Sequence, residues 1–72
     1  MSHELVIYRP TRAARAAHRA LGTKPLPREV HVHASGGVVA CYEGHHADIH
    51  FATMHGVLEL HGLTHADFEQ IR

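Results

Sequence analysis

The sequence predicts an α+β fold with the element order β-α-β-β-α-α and a small three-stranded, mainly antiparallel sheet packed against helices. Three observations predict it: an alanine-rich segment with helical caps, two valine-rich runs joined by a glycine turn, and helical start and stop signals near the C-terminus. The 72 residues are the size of one domain, 1–72. A chain this short buries a thin core, so a metal ion or a second copy would add stability.

The first two predicted elements are a strand and a helix. The run Leu5–Tyr8 is β-prone, and Pro10 ends it. Thr11 suits the N-cap of a helix, and the segment Arg12–Leu21 is rich in alanine, the best helix former. Gly22 suits the position that follows the end of this helix. We therefore expect a strand followed at once by a helix.

A β-hairpin is predicted after the proline-rich loop 23–27. Residues 29–34 alternate valine with histidine, which is the two-residue period of a strand. A Ser-Gly-Gly turn at 35–37 then leads into the apolar run 38–42. Two such runs joined by a glycine turn are typical of two antiparallel strands.

The segment 46–60 is the hardest to interpret. Its apolar residues fit one helical face only in part, a strand interpretation stays open, and Gly56 weakens both. We interpret it as a helix because Gly62 suits a helix C-terminus and Thr64 suits the N-cap of a further helix. Residues 66–71 are then predicted to form a short last helix, docked by Phe68 and Ile71.

Charge is divided unevenly along a chain whose net charge is zero with neutral histidines. Residues 1–30 hold six of the seven Lys and Arg residues, and Arg12, Arg15 and Arg19 share one stripe of the predicted helix, with Arg9 just before it. Such a stripe can bind an acidic protein or phosphates, or it is only the solvated side of an alanine helix. Nucleic acid is the less favoured partner because aromatic side chains for base stacking are scarce.

Histidine is over-represented, with ten in the chain and eight of them after residue 30. Two pairs have a spacing that places both rings on one face: His31 with His33 on a strand, and His46 with His50 on a helix. If the helix packs over the hairpin, these four could bind one divalent transition metal, zinc before nickel or copper. The alternatives are solvated faces, caps at helix ends, or a cluster that protonates near pH 6 as a switch.

Cys41 is the only cysteine, which excludes a disulfide within the chain and is typical of a cytoplasmic, reducing compartment. Cys41 lies within an apolar run, where thiols are usually buried and inert, and no catalytic motif accompanies it. We therefore expect no enzymatic activity. Cys41 or Asp48 could instead replace one histidine as a metal ligand. No apolar run approaches the ~20 residues that cross a bilayer, so we expect no membrane span.

These observations predict a small non-enzymatic interaction protein that docks on a larger protein partner and modulates or inhibits it. The docking residues would be Arg9, Arg12, Arg15 and Arg19, or an edge strand of the sheet. An edge strand could also pair two copies into a homodimer. The opposing hypothesis is a histidine-rich metal-binding protein that uses His31, His33, His46 and His50.

Overall fold

A computed structural model describes residues 5–21, 25–44 and 48–71 of the chain. The α+β class is confirmed, but the sheet has five strands and not the three that we expected. The strands are β1 (Leu5–Pro10), β2 (Glu29–His33), β3 (Val38–Cys41), β4 (Ile49–Phe51) and β5 (Phe68–Gln70). The helices are α1 (Arg12–Leu21) and α2 (Met54–His61), and a short 3-10 helix (His65–Asp67) precedes β5.

The strands lie in the order β4-β3-β2-β1-β5, and every neighbouring pair is antiparallel. The hairpin of β2 and β3 is confirmed at the sheet centre, where Val30 pairs with Ala40 and Val32 with Val38. β4 and β5 form the opposite edges. The chain covers the roughly 19 Å between these edges through α2 and the 3-10 helix.

The two faces of the sheet differ in burial because side chains alternate along each strand. On the first, the core face, Val30, Val38 and Phe68 form a buried cluster with Val57 and Leu58 of α2. On the second, the open face, no strand residue is buried. The open face consists of Leu5, Ile7, Arg9, Glu29, His31, His33, Val39, Cys41, His50 and Glu69. The sheet therefore has its apolar core on one side.

Both helices begin at a threonine N-cap. The Thr11 hydroxyl accepts a hydrogen bond from the Ala14 N–H at 3.1 Å, as the sequence predicts for α1. The Thr53 hydroxyl accepts one from the Gly56 N–H at 3.2 Å. α2 ends as expected at Gly62, whose φ of 67° lies in the left-handed region. The predicted stop of α1, Gly22, lies outside the described residues.

The single helix expected over residues 46–60 is wrong. Residues 49–51 form β4, and the helix begins only after Thr53. A three-residue strand is too short to show the alternation by which strands are recognised, and its apolar residues were therefore assigned to a helical face.

The last helix, expected over residues 66–71, is also wrong. The Asp67 carboxylate accepts a hydrogen bond from the Thr64 N–H at 2.9 Å, so the start signal belongs to a single 3-10 turn. Phe68 then enters β5 and pairs with Pro10, which is possible for a proline at the end of a strand. Phe68 is buried as expected, whereas Ile71 is exposed. Among the described residues, no helix is long and apolar enough to span a bilayer.

Candidate functional site

Helix α1 carries three exposed arginines on one side, Arg12, Arg15 and Arg19. At about 100° per residue they span an arc of about 60° on the helix surface. We call these three residues the arginine stripe. Within the described ranges, none of the three has an ion-pair partner.

The helix is fixed at its first turn but buries little of its surface. The Thr11 N–H donates to the Asp67 carbonyl oxygen at 2.9 Å, which ties the start of α1 to the 3-10 helix. Ala14 is the one buried residue among those of α1 whose burial the structure describes, residues 12–20. The other alanines of the helix are exposed and adjoin the arginine stripe; they are Ala13, Ala16, Ala17 and Ala20. α1 thus presents an arginine side and a small, flat alanine side to solvent.

Arg9 does not belong to this surface, although the sequence grouped it with the stripe. It lies on β1, on the open face, with its Nε 3.7 Å from the Glu69 Oε2 on β5. Both side chains are 51% exposed, so solvent screens the pair and it stabilises the fold little. Arg9 still gives β1 and β5 complementary charges.

A cleft of about 230 Å³ lies beside α1. It combines apolar walls with two arginines and one carboxylate. Its lining residues are Pro10, Arg15, Leu26, Pro27, Arg28 and Glu43. One residue of the arginine stripe, Arg15, therefore lies at a concave part of the surface.

The histidines of β2 share the open face, as the strand period predicts. The His31 Nε2–H donates to the Glu29 Oε1 at 2.9 Å. This hydrogen bond is the main reason why the pKa of Glu29 is lowered below its ordinary value, against a partial desolvation that raises it. His33 is exposed and pairs with Leu5 at the other end of the strand. Only His31 of this pair has a partner that orients its ring.

His50 lies on β4 and not on a helix, so the helical pairing of His46 with His50 is wrong for His50; His46 lies outside the described residues. The register nevertheless aligns His31, Val39 and His50 across three neighbouring strands of the open face. In the part of the chain that the structure describes, no three His, Cys, Asp or Glu side chains are gathered around a common metal position. The predicted four-histidine site stays a prediction, because His46 lies outside the described residues to which that absence applies.

Cys41 lies on the open face of β3 and is half-buried. Its pKa is raised, first by burial and then by the negative charges of Asp48 and Glu29. A thiol whose pKa is raised stays protonated at neutral pH and is a poor nucleophile. The environment of Cys41 thus gives no support to nucleophilic catalysis.

Two half-buried histidines outside these sets have contrasting surroundings. His61 ends α2, where its Nδ1–H donates to the Val57 carbonyl oxygen and its Nε2 accepts from the Tyr42 hydroxyl, both at 2.8 Å. The Nε2 of His18 is buried and has no hydrogen-bond partner among the described residues. The bond from His61 to the Val57 carbonyl oxygen at the end of α2 is a cap of the kind that the sequence offered as one alternative for the histidines, whereas no sequence signal marks His18.

Comparison of the chain with family models, with curated proteins and with solved structures found no match. Its functional interpretation therefore depends on the geometry of α1 and of the open face.

Proposed function

We propose that this protein is a small non-enzymatic binding module that docks through α1 on an acidic face of a larger protein and thereby modulates or inhibits it. The observation that carries the proposal is the arginine stripe. Arg12, Arg15 and Arg19 are exposed, neighbouring and without ion-pair partners among the described residues. Arginine suits this role because its planar guanidinium binds carboxylates through two parallel hydrogen bonds.

The alanine side of α1 adds contact area to this charge. Ala13, Ala16, Ala17 and Ala20 are exposed, although alanine residues of an amphipathic helix would normally face a core. Small side chains let a partner approach the helix closely, and the neighbouring arginines would then meet its carboxylates. The first turn of α1 is already fixed by Thr11, so docking would order little additional backbone.

The cleft beside α1 also favours an acidic partner. Arg15 and Arg28 line it against the single carboxylate of Glu43, together with apolar walls from Pro10 and Pro27. A carboxylate side chain that entered the cleft would meet two guanidinium groups, whose attraction outweighs the repulsion from Glu43. Such anchored contacts contribute more to affinity than exposed pairs do.

The edge strands offer a weaker surface for docking or for a homodimer. β4 and β5, the two edges, are three residues long each. Short edge strands are a usual way to prevent pairing with another chain. α1 is therefore the favoured docking element.

Reversal of the arginine stripe tests the proposal. The wild type and the R12E/R15E/R19E variant serve as baits for proteins of the source cell, and the partner that the wild type enriches is purified for calorimetry. Each reversal replaces an attraction by a repulsion worth about 1 kcal/mol. Together the three should weaken binding by about 100-fold.

Two control variants separate charge at this surface from a general change of charge. R12K/R15K/R19K keeps the charge and should lose less than R12E/R15E/R19E, while R9E lies on the open face and should bind like the wild type. Unchanged affinity of the triple glutamate variant, in a chain with an unchanged circular dichroism spectrum, contradicts the proposal.

Nucleic acid is the competing partner, and salt dependence identifies it. Three phosphate contacts would make the logarithm of affinity fall with the logarithm of salt at a slope of about −2.7 for duplex DNA and about −2.1 for a single strand. We expect labelled duplex DNA and single-stranded RNA to show no stripe-dependent binding at physiological salt. Micromolar binding with that slope, lost in R12E/R15E/R19E, would reassign the stripe to nucleic acid.

A further inference from the structure

The cleft beside α1 lies where four parts of the fold meet. Pro10 ends β1, Arg15 lies in the first turn of α1, residues 26–28 precede β2, and Glu43 follows β3. Its volume of about 230 Å³ is below the roughly 300–1,000 Å³ of pockets that take a drug-sized ligand. The cleft therefore suits a smaller group, such as one amino-acid residue.

The inner wall of the cleft is apolar and rigid. Pro10 and Pro27 are fully buried, so they form the inner wall and not the rim. Their rings fix the backbone φ and lose no side-chain freedom on packing. Leu26, which is half-buried, extends this wall. An apolar group that enters the cleft thus meets a surface whose shape exists before binding, which lowers the cost of binding.

The rim carries two cations and one anion on anchored backbone. Arg15, Arg28 and Glu43 are all exposed, and among the described residues no ion pair joins Glu43 to either arginine. The Arg15 N–H donates to the Thr11 carbonyl oxygen at 3.0 Å, and the Arg28 N–H donates to the Cys41 carbonyl oxygen at 2.7 Å. The rim therefore offers guanidinium donors and one carboxylate acceptor to an incoming ligand.

We propose that this cleft receives the C-terminal residue of the partner that docks on α1, and that this residue is apolar. The inference rests on the proposed function and names the part of the partner that is recognised. A C-terminal residue unites a free carboxylate, a backbone N–H and a side chain. The carboxylate binds Arg15 and Arg28 through charge-assisted hydrogen bonds, the N–H donates to Glu43, and the apolar side chain packs on Pro10 and Pro27.

A terminal residue fits this cleft better than a phosphate or an acidic side chain does. The two arginines and Glu43 together carry one positive charge, which a single carboxylate neutralises, whereas a phosphate dianion leaves negative charge in excess beside Glu43. The side chain of Asp or Glu could reach the arginines but brings no apolar group to the prolines. Capture of a chain-terminal carboxylate is a recurring mode of peptide recognition.

The test titrates the isotope-labelled full chain with N-acetyl-L-leucine and follows the backbone amide shifts by NMR. We expect saturable shifts at Arg15, Arg28 and Glu43, with millimolar affinity for a probe of this size. Three analogues each lack one recognised group: N-acetyl-L-leucinamide lacks the carboxylate, N-acetylglycine lacks the apolar side chain, and isocaproate lacks the N–H. Each should bind at least about threefold more weakly.

Variants of the rim assign these contacts to residues. R28A should weaken the binding of N-acetyl-L-leucine by about 10-fold, because it removes one of the two charge-assisted contacts. E43A should abolish the preference for N-acetyl-L-leucine over isocaproate, since both would then lack an acceptor for the N–H. R12E/R19E is the matched control. Neither Arg12 nor Arg19 lines the cleft, so this variant should bind the probe like the wild type at physiological salt.

Three results overturn the proposal. They are the absence of saturable shifts, equal or tighter binding of N-acetyl-L-glutamic acid α-amide, which carries its carboxylate on the side chain, and tighter binding of free L-leucine, which would make the cleft a site for a free amino acid. Failure here is distinguishable from failure of the docking proposal. Arg12 and Arg19 affect capture of the partner without lining the cleft, whereas Arg28 and Glu43 line the cleft without belonging to the arginine stripe.

Discussion

His18 and His61 are both half-buried, but their ring nitrogens differ in their hydrogen bonds. Both nitrogens of His61 are bonded, to the Val57 carbonyl and to the Tyr42 hydroxyl. The Nε2 of His18 is buried and makes no hydrogen bond within the part of the chain that the structure describes. A buried polar atom without a partner carries a desolvation cost, and an apolar side chain of similar size removes that cost.

We therefore expect His18→Leu to leave the free energy of unfolding unchanged or to raise it by up to about 1 kcal/mol. His61→Leu removes two hydrogen bonds and should lower it by about 1–2 kcal/mol. Urea denaturation followed by circular dichroism measures both. A His18→Leu variant that loses as much stability as His61→Leu would show that the His18 ring has a bonding role.

The position of His50 differs from the one that the metal hypothesis from the sequence assumes. Spacing alone pairs His46 with His50, because both fall within one predicted helix. In the structure, the strand register instead aligns His50 with His31 across Val39. That neighbourhood depends on which strands pair, and pairing between distant segments is not encoded in local spacing.

At the scale of elements, the predictable parts are those with local signals. α1 has the predicted bounds because Thr11 caps it and alanine fills it. The β2–β3 hairpin follows from alternation and a glycine turn. β4 and β5 have three residues each, and they are strands because they hydrogen-bond to a neighbouring strand, β3 and β1 respectively. Their identity is a tertiary property, so the sequence favoured helices there.

The absence of a side chain at Gly56 determines how closely α2 approaches β4. A Cβ at Gly56 would lie 3.3 Å from the Phe51 Cδ2. Phe51 is only half-buried on an edge strand, so its ring can shift by the few tenths of an ångström needed. Alanine is also the better helix former by about 1 kcal/mol.

We expect Gly56→Ala to raise the free energy of unfolding by about 0.5 kcal/mol, since part of the helical gain offsets the contact with Phe51. Gly56→Val, which adds a branched side chain at the same contact, should instead be destabilising. Thermal and urea denaturation of both variants measure the difference. A loss above about 1 kcal/mol in Gly56→Ala would mean that the Phe51 ring is fixed.

At the scale of the whole molecule, the described residues form a buried core on one side of the sheet and leave the strand residues of the other side unburied. The buried cluster joins the centre of the sheet to α2, while the open face keeps half-buried apolar residues such as Ile7 and Val39 among histidines and charged groups. The sequence predicted the class and the hairpin but gave no means to assign faces to β4 and β5. One-sided packing also agrees with the small margin of stability expected for 72 residues.

Substitutions at Val30 and Val39 measure the difference in burial between the two faces, because these residues lie on neighbouring strands with their side chains on opposite faces. Val30 is 0% exposed and belongs to the buried cluster, so Val30→Ala should cost about 2 kcal/mol through lost burial and a cavity. Val39 is not buried, and Val39→Ala should cost less than about 1 kcal/mol. A domain of this size has roughly 3–5 kcal/mol in total, so Val30→Ala alone would remove about half of it.

Urea denaturation at two protein concentrations shows whether the open face is solvated or is covered by a second copy of the chain. If the open face is solvated, the two substitutions differ by more than about 1 kcal/mol and neither midpoint depends on concentration. If a second copy covers the open face, Val39→Ala costs as much as Val30→Ala and the wild-type midpoint rises with concentration. We expect the first result, because the open face carries exposed polar and charged side chains that are poorly suited to a dry interface. They are His33, His50, Arg9 and Glu69.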